Sequence, residues 1–268
     1  MTHTVMEIDQ TMAFTLTKTR NDLVFRRAAL ADRTWLTDHY LRVRLVGEEL
    51  RGFTSPGADD HIRVFFPPHD QPFASVEQLR AAPSREYTPL TWDPDAGELE
   101  LEFVGHDGDG VGATWAWQAP IGAPVGIGGP RGSTVLQGRP DVWFLAGDET
   151  AIPAIRRFLA LAGPHATGRV LIEVPEPGRE VPVAHPSGVE LEYVHRKDLP
   201  AGEALIERLN QFGTSDRPTG DVFVFIAAER SVVKPGRALA LDRWGLDPDQ
   251  TIIKGYWARG NDTYHAPH

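Results

Sequence analysis

The chain has 268 residues, 41% hydrophobic and 24% charged, with a formal net charge of -10. That length suits one large domain or two ordinary ones, and the acidity argues against a surface that coats nucleic acid. The absence of cysteine excludes disulfides, thiolate-held iron–sulfur clusters and a catalytic thiol.

No apolar run reaches the ~18 residues of a membrane-spanning helix, so no membrane insertion is expected. The opening residues "MTHTVMEIDQTMAF" lack the basic end and apolar core of a signal peptide, which makes a cytoplasmic location the expectation. Residues 1–19 read as a flexible segment. From 20 to 135 the rhythm is that of strands and turns. "LRVRLVGEEL" (Leu41 to Leu50) and "ELELEFVGH" (Glu98 to His106) alternate apolar and polar residues, and "HIRVFFPP" (His61 to Pro68) is β-rich and stops at prolines. Short strands punctuated by Gly, Pro and Asp predict an antiparallel six-stranded β-barrel.

The short break "GPRGSTVLQGRPD" (Gly129 to Asp141) leads into a different rhythm over 138–260. "DVWFLAG" (Asp141 to Gly147) is almost continuously apolar, as a strand buried on both faces requires. "DETAIPAIRRFLALAG" then places Ile152, Ile155, Phe158, Leu159 and Ala162 on one helical face. "GRVLIEVP", "VELEYVHR", "DVFVFIAAE" and "TIIKGYW" read as four more strands, with helical stretches "GEALIERLNQF" and "SVVKPGRALALDRWG" between some of them. In the second helix, Ser231 as N-cap puts Pro235 in the first turn, where backbone N–H groups have no intrahelical partner. Alternating strands and helices predict a parallel-sheet α/β nucleotide-binding domain, and 261–268 are left as a tail. A barrel followed by such a domain is the organisation of flavin reductases.

Within the first half, Arg85, Tyr87 and Thr88 in "REYT" have the chemistry an FAD site needs. Arg85 offers a planar fork to a phosphate and Tyr87 a ring to the flavin or ribityl chain. On a strand these two share a face and Thr88 points away. A bare Arg–Tyr pair on a barrel surface has the same sequence. The loop "HDGDGVGATWAW" adds Gly112, Ala113 and Thr114 at the start of a short helix, where free N–H groups and a hydroxyl form an anion site. Its two aspartates oppose that reading, and a flexible hairpin loop is the alternative. In the second half, "LAGDETAIP" lies where a first parallel strand turns into a helix, the usual ligand crevice of such sheets. It puts Gly147, Asp148, Glu149 and Thr150 there, without a G-x-G-x-x-G motif.

The run Arg-x-Tyr-Thr, a strand ending Phe103-Val104-Gly105-His106, "GATWA" from Gly112, and "IGGPRGS" from Ile127 together resemble the siderophore-interacting proteins. These are FAD-dependent ferric-siderophore reductases related to the ferredoxin–NADP reductase superfamily. "WFLAGDETAIPAI", "IEVP", "VHR" and "GYWARG" follow in the family's order, so the resemblance covers roughly residues 20 to 260. It implies FAD held by Arg85, Tyr87, Thr88, His106, Gly112, Ala113 and Thr114. It also implies NADPH or NADH as electron donor at Gly147 to Thr150, with a reduced ferredoxin as the other possible donor. The substrate implied is a ferric siderophore whose iron leaves as Fe(II). Arg63, Lys254, Trp257 and Arg259 are the substrate-side candidates, and Arg196 with Lys197 the candidates for a nucleotide 2′-phosphate or simply a solvated strand end. The family often continues Tyr-Thr-Val-Arg where this chain has Tyr87-Thr88-Pro89-Leu90, so a second Arg is missing and Pro89 removes a donor.

Outer-sphere electron transfer needs no acid or base from the protein, so no catalytic side chain is assigned. The ten histidines show no compact ligand spacing, so no protein metal site is expected. Two other readings share these residues: a general NAD(P)H-dependent flavin reductase serving a protein acceptor, and a non-catalytic siderophore-binding module.

Overall fold

The computed structural model describes residues 13–67, 73–105, 110–261 and 264. Its first half is a seven-stranded antiparallel sheet in the order β5-β4-β8-β2-β3-β7-β6. The strands are β2 (Phe25–Thr37), β3 (Tyr40–Val46), β4 (Ile62–Phe65), β5 (Ser84–Tyr87), β6 (Thr91–Asp93), β7 (Glu98–Val104) and β8 (Pro124–Gly128). Alternation does its work here. In β3 and β7 the apolar positions Leu41, Val43, Leu45, Leu99, Leu101 and Phe103 are buried; the positions between them point to the other face, where Tyr40 and Glu102 are covered in turn and the rest are half-buried. The alternation in β3 stops at Val46, and Glu48–Leu50 turns into a short 3-10 helix after Gly47.

The end strands β5 and β6 are consecutive in sequence, joined by Thr88-Pro89-Leu90. The sheet therefore curls until its two ends meet at this linker. Counted as one strand interrupted at Pro89, β5 and β6 make the barrel six-stranded. Pro89 lacks the N–H that a continuous ladder would use, which accounts for the interruption at that place. Two helices pack on this half, α1 (Val76–Ala81) and α2 (Val111–Gln118).

One expectation about the N-terminus changes. Residues 14–19, read as flexible, lie in β1 (Phe14–Arg20), which pairs antiparallel with β9 (Gly132–Gly138) along its whole length. Phe14 is buried and stands edge-on to Phe223 at 5.9 Å. The break between the halves is thus itself a strand, in a two-stranded ribbon.

The second half is a five-stranded parallel sheet in the order β12-β11-β10-β13-β14. Its strands are β10 (Val142–Asp148), β11 (Thr167–Val174), β12 (Gly188–His195), β13 (Val222–Glu229) and β14 (Thr251–Trp257). Helices α3 (Ile152–Ala162), α4 (Glu203–Asn210) and α5 (Val233–Arg237) complete it. β13 is buried at every position and β10 at all but its first, matching their continuous apolar sequences. The predicted face of α3 is buried at Ile152, Ile155, Phe158, Leu159 and Ala162. The helical stretch before α5 starts two residues earlier than expected and is capped by Glu229, whose carboxylate accepts from Ser231 N–H at 2.6 Å. Ser231 is not the cap; its hydroxyl is buried without a hydrogen-bond partner. Strand order reverses on either side of β10, so the switch point lies at the C-terminal ends of β10 and β13.

α3 ties the halves together. Arg157 donates to the Ser55 and Pro89 carbonyls and lies over the Trp92 ring at 5.0 Å. Arg156 lies 3.4 Å from Glu102, a buried carboxylate that also accepts from Tyr40 and Arg42. No helix among the described residues is long and apolar enough to cross a membrane.

Candidate functional site

A cleft of about 1500 Å³ opens between the two halves. It exceeds the ~300–1,000 Å³ of an ordinary small-molecule pocket, as a dinucleotide beside a second ligand would need. Arg85, Tyr87, Thr88, Gly112, Ala113 and Thr114 line it from the barrel. Asp148, Glu149, Thr150, Lys254 and Trp257 line it from the α/β half. Gly147, Arg63 and Arg259 do not line it, and His106 lies outside the described residues.

On the barrel side, Arg85 and Tyr87 share a strand face because both pair across to inward positions, Val64 and Ile62. Arg85 donates to the Ser84 carbonyl at 2.9 Å and has no carboxylate partner among the described residues. Tyr87 packs one ring face on Phe103, centroids 4.3 Å apart. Its hydroxyl sits where a Cβ at Gly112 would be, so only glycine lets the start of α2 approach this ring. α2 begins after Gly110, which contributes no capping side chain. Among the described residues the N–H groups of its first turn therefore have no side-chain cap, and Thr114 is exposed beside them. Thr88 faces away from the Arg85–Tyr87 pair, buried and hydrogen-bonded to Tyr256.

On the α/β side the geometry differs. Asp148 is buried and both of its oxygens are saturated. Oδ1 accepts from Thr150 N–H at 2.9 Å and from the Thr150 hydroxyl. Oδ2 accepts from Glu229 N–H at 3.0 Å and from Trp257 Nε1–H at 2.8 Å. Burial pushes its carboxyl above the ordinary range while these donors pull it back. Asp148 thus joins β10, β13 and β14 instead of presenting a carboxylate to a ligand. Gly147 has no left-handed conformation; a side chain there would overlap Ala151 and the Ala227 carbonyl, so its smallness serves strand packing.

Glu149 is buried next to Arg196, 3.2 Å away, and burial raises its carboxyl to about 7 against the pull of that guanidinium. Arg196 also lies 3.7 Å from Glu173, which caps α4 by accepting from Gly202 and Leu205 N–H. Lys197 lines the cleft with a left-handed φ of 52°. Lys254 is ion-paired with the buried Asp59, which also accepts from the Tyr256 hydroxyl. Trp257 holds its place through Asp148. Arg63 lies on the outer face of β4 in a 3.0 Å pair with Glu86, and Arg259 is drawn to Glu203 at 3.4 Å. Among the described residues no group of three metal-ligating side chains is assembled.

Comparison with known proteins decides the family. The model described as "Siderophore-interacting FAD-binding domain" matches residues 29–134, and "Siderophore-interacting protein" matches 140–260. The chain belongs to the siderophore-interacting protein family. It is 32% identical over 253 residues to the NADPH-dependent ferric-chelate reductase of Escherichia coli, covering 90% of this chain and 95% of that one. It is 28% identical to the ferric vibriobactin reductase ViuB of Vibrio cholerae, covering 87% and 90%. Among solved structures, a siderophore utilization protein from T. fusca superposes with a TM-score of 0.80 at 29% identity, covering 92% and 97%.

FAD is the cofactor of the barrel half in this siderophore-interacting protein. The residues fit it: an Arg85 guanidinium with no carboxylate partner, an uncapped first turn of α2 and the Tyr87 ring all face one cavity. Some residues that shape the site carry no sequence motif. Asp59, Tyr256, Tyr40, Glu102 and Arg157 act across the seam between the halves. No local signal marked them: Glu102, for instance, is the third of three glutamates that alternate along β7.

Proposed function

We propose that this protein is an FAD-dependent oxidoreductase that reduces the iron of a ferric siderophore from Fe(III) to Fe(II), using a nicotinamide nucleotide as donor, and so frees the metal in the cytoplasm. The observation that carries this reading is the shared cavity. The flavin cradle at Arg85, Tyr87 and α2 opens on the same space as the Glu149–Thr150 turn and Trp257. A donor and an acceptor can thus each reach one cofactor. The reductase names of both curated relatives support it, and the NADPH dependence of the Escherichia coli relative supports the choice of donor.

FAD supplies the change from two-electron donor to one-electron acceptor. Arg85 and the first-turn N–H groups of α2 hold the diphosphate, a charge-assisted contact reinforced by the helix dipole. Tyr87 fixes the distance between that anchor and the barrel wall. Thr150 and the backbone of the turn at the end of β10 receive the nucleotide, with Glu149 held back by Arg196. Trp257 covers the cavity from the last strand and excludes water. The substrate iron leaves because Fe(II) binds hard oxygen donors more weakly than Fe(III) does.

The test is an anaerobic assay of FAD-loaded protein with NADPH or NADH, several ferric siderophores and an Fe(II)-trapping dye. Formation of the dye complex at a rate that follows enzyme concentration is expected. Flavin reduction without Fe(II) from any chelate would overturn the reading in favour of a reductase serving another acceptor.

A further inference from the structure

Cations at the flavin edge favour anionic iron chelates, and the sequence offers several. In the fold most of them are neutralised. Lys254 is paired with buried Asp59, and Arg196 lies between Glu149 and Glu173. Arg179, on the cleft rim, is 3.6 Å from Glu176. Arg63 and Arg259 sit outside the cavity against Glu86 and Glu203. Among the described residues lining the cleft, Arg85 and Lys197 are the cations without a carboxylate partner. Asp38, Asp148 and Asp198 are the carboxylates without a cation in ion-pair reach, so they outnumber the two cations. Arg85 belongs to the FAD cradle, and FAD itself brings two phosphate charges. Lys197 alone remains, beside Asp198, in a chain of net charge -10.

A cleft of this kind attracts no polyanion; its field, and that of the whole chain, repels one. Three catecholates, each binding as a dianion, give a trianionic ferric complex. Three hydroxamates, each a monoanion, give a neutral one. Building on the reductase reading above, we infer that the cleft selects ferric chelates without net negative charge, of the tris(hydroxamate) class, over polyanionic chelates such as tris(catecholates). The balance of paired charges around the cavity is the specificity device.

The experiment compares two hexadentate ferric tris(hydroxamates) of the same size, a neutral one bearing three pendant carboxamides and an anionic one bearing three pendant carboxylates. Both have the same iron coordination and driving force, so they differ in charge alone. FAD-loaded protein is photoreduced without oxygen and mixed with each chelate, and flavin reoxidation is followed at low and high salt. The neutral chelate reacts faster at low salt, by on the order of fivefold, and the gap closes as salt screens the repulsion beyond ~10 Å. Reversing the rim charge with Glu176→Lys and Asp198→Lys removes the gap. Glu207→Lys with Asp249→Lys, an equal change of net charge outside the cleft, preserves most of it. A carboxylated chelate that reacts as fast as the neutral one at low salt overturns the inference and leaves the reductase reading standing. Reoxidation by neither chelate overturns the reductase reading, and this inference with it.

Discussion

At the Arg85–α2 cradle on the barrel side of the cleft, the polar groups lack strong partners among the described residues. At the turn that ends β10, opposite, the side chains are bonded to their neighbours. Arg85 has only its neighbour's carbonyl and α2 has no cap, whereas Asp148 has four donors and Glu149 has Arg196. On the proposed reading, the difference separates a resident cofactor from a visiting one. FAD would meet open charge and free N–H groups and gain their full interaction. A nicotinamide donor would meet satisfied side chains and be left with backbone, shape and the Thr150 hydroxyl, which suits a ligand that must leave after each turnover.

The comparison breaks if Asp148 is a ligand group after all. Asp148→Ala removes the common acceptor of two backbone N–H groups, an indole N–H and a hydroxyl, in a buried position. Leaving such donors unpaired costs roughly 2–4 kcal/mol in total. Urea unfolding of the apoprotein should show that loss. A variant of unchanged stability whose nucleotide affinity falls would instead place Asp148 in the ligand site.

Glu149 sharpens the same side through pH. Its carboxyl ordinarily titrates near 4.5 and is raised to about 7 in the fold, with burial as the main cause. A raised acid leaves stability at its full value below about 4.5, where folded and unfolded forms are both protonated. As pH rises the unfolded chain ionises first, so stability falls up to about pH 7 and is level above it. At ~1.4 kcal/mol per pKa unit the decline is bounded by about 3 kcal/mol. Glu149→Gln should flatten this slope in unfolding free energies measured from pH 5 to 8. Asp148 and Glu173, also raised by burial, contribute in the same direction and leave part of the slope in place. An unchanged slope in the variant would mean that Glu149 is solvated and already ionised.

The two sides also differ in how much of them the sequence made legible. Alternation located β3 and β7, and the apolar runs located β10 and β13, because burial on one or two faces leaves a periodic mark. Arg85, Tyr87 and the Gly112 turn stood out because residue type and local spacing carry their chemistry. The fate of Asp148, Arg63, Lys254 and Arg259 was not legible, since it depends on partners that only the fold brings near. Asp59 reaches Lys254 across most of the chain, and Glu229 N–H reaches Asp148 through the pairing of β10 with β13. The ribbon of β1 and β9 was hidden for the same reason: its two strands lie at opposite ends of the first half.

The barrel side is tested most gently by Arg85→Ala. Because its one hydrogen bond among the described residues is to the adjacent carbonyl, removing the side chain should leave the apoprotein's thermal unfolding almost unchanged. The phosphate contact is charge-assisted and forked, so its loss should weaken FAD binding about 10–100-fold, roughly 1.4–2.8 kcal/mol. Arg85→Lys keeps the charge without the fork and should fall between the two. Titration of apoprotein with FAD, read by quenching of flavin fluorescence, gives the affinities directly. If Arg85→Ala binds FAD as tightly as the parent, the free N–H groups of α2 carry the diphosphate alone, and the Arg-x-Tyr-Thr signature marks packing of the barrel wall, not the cofactor.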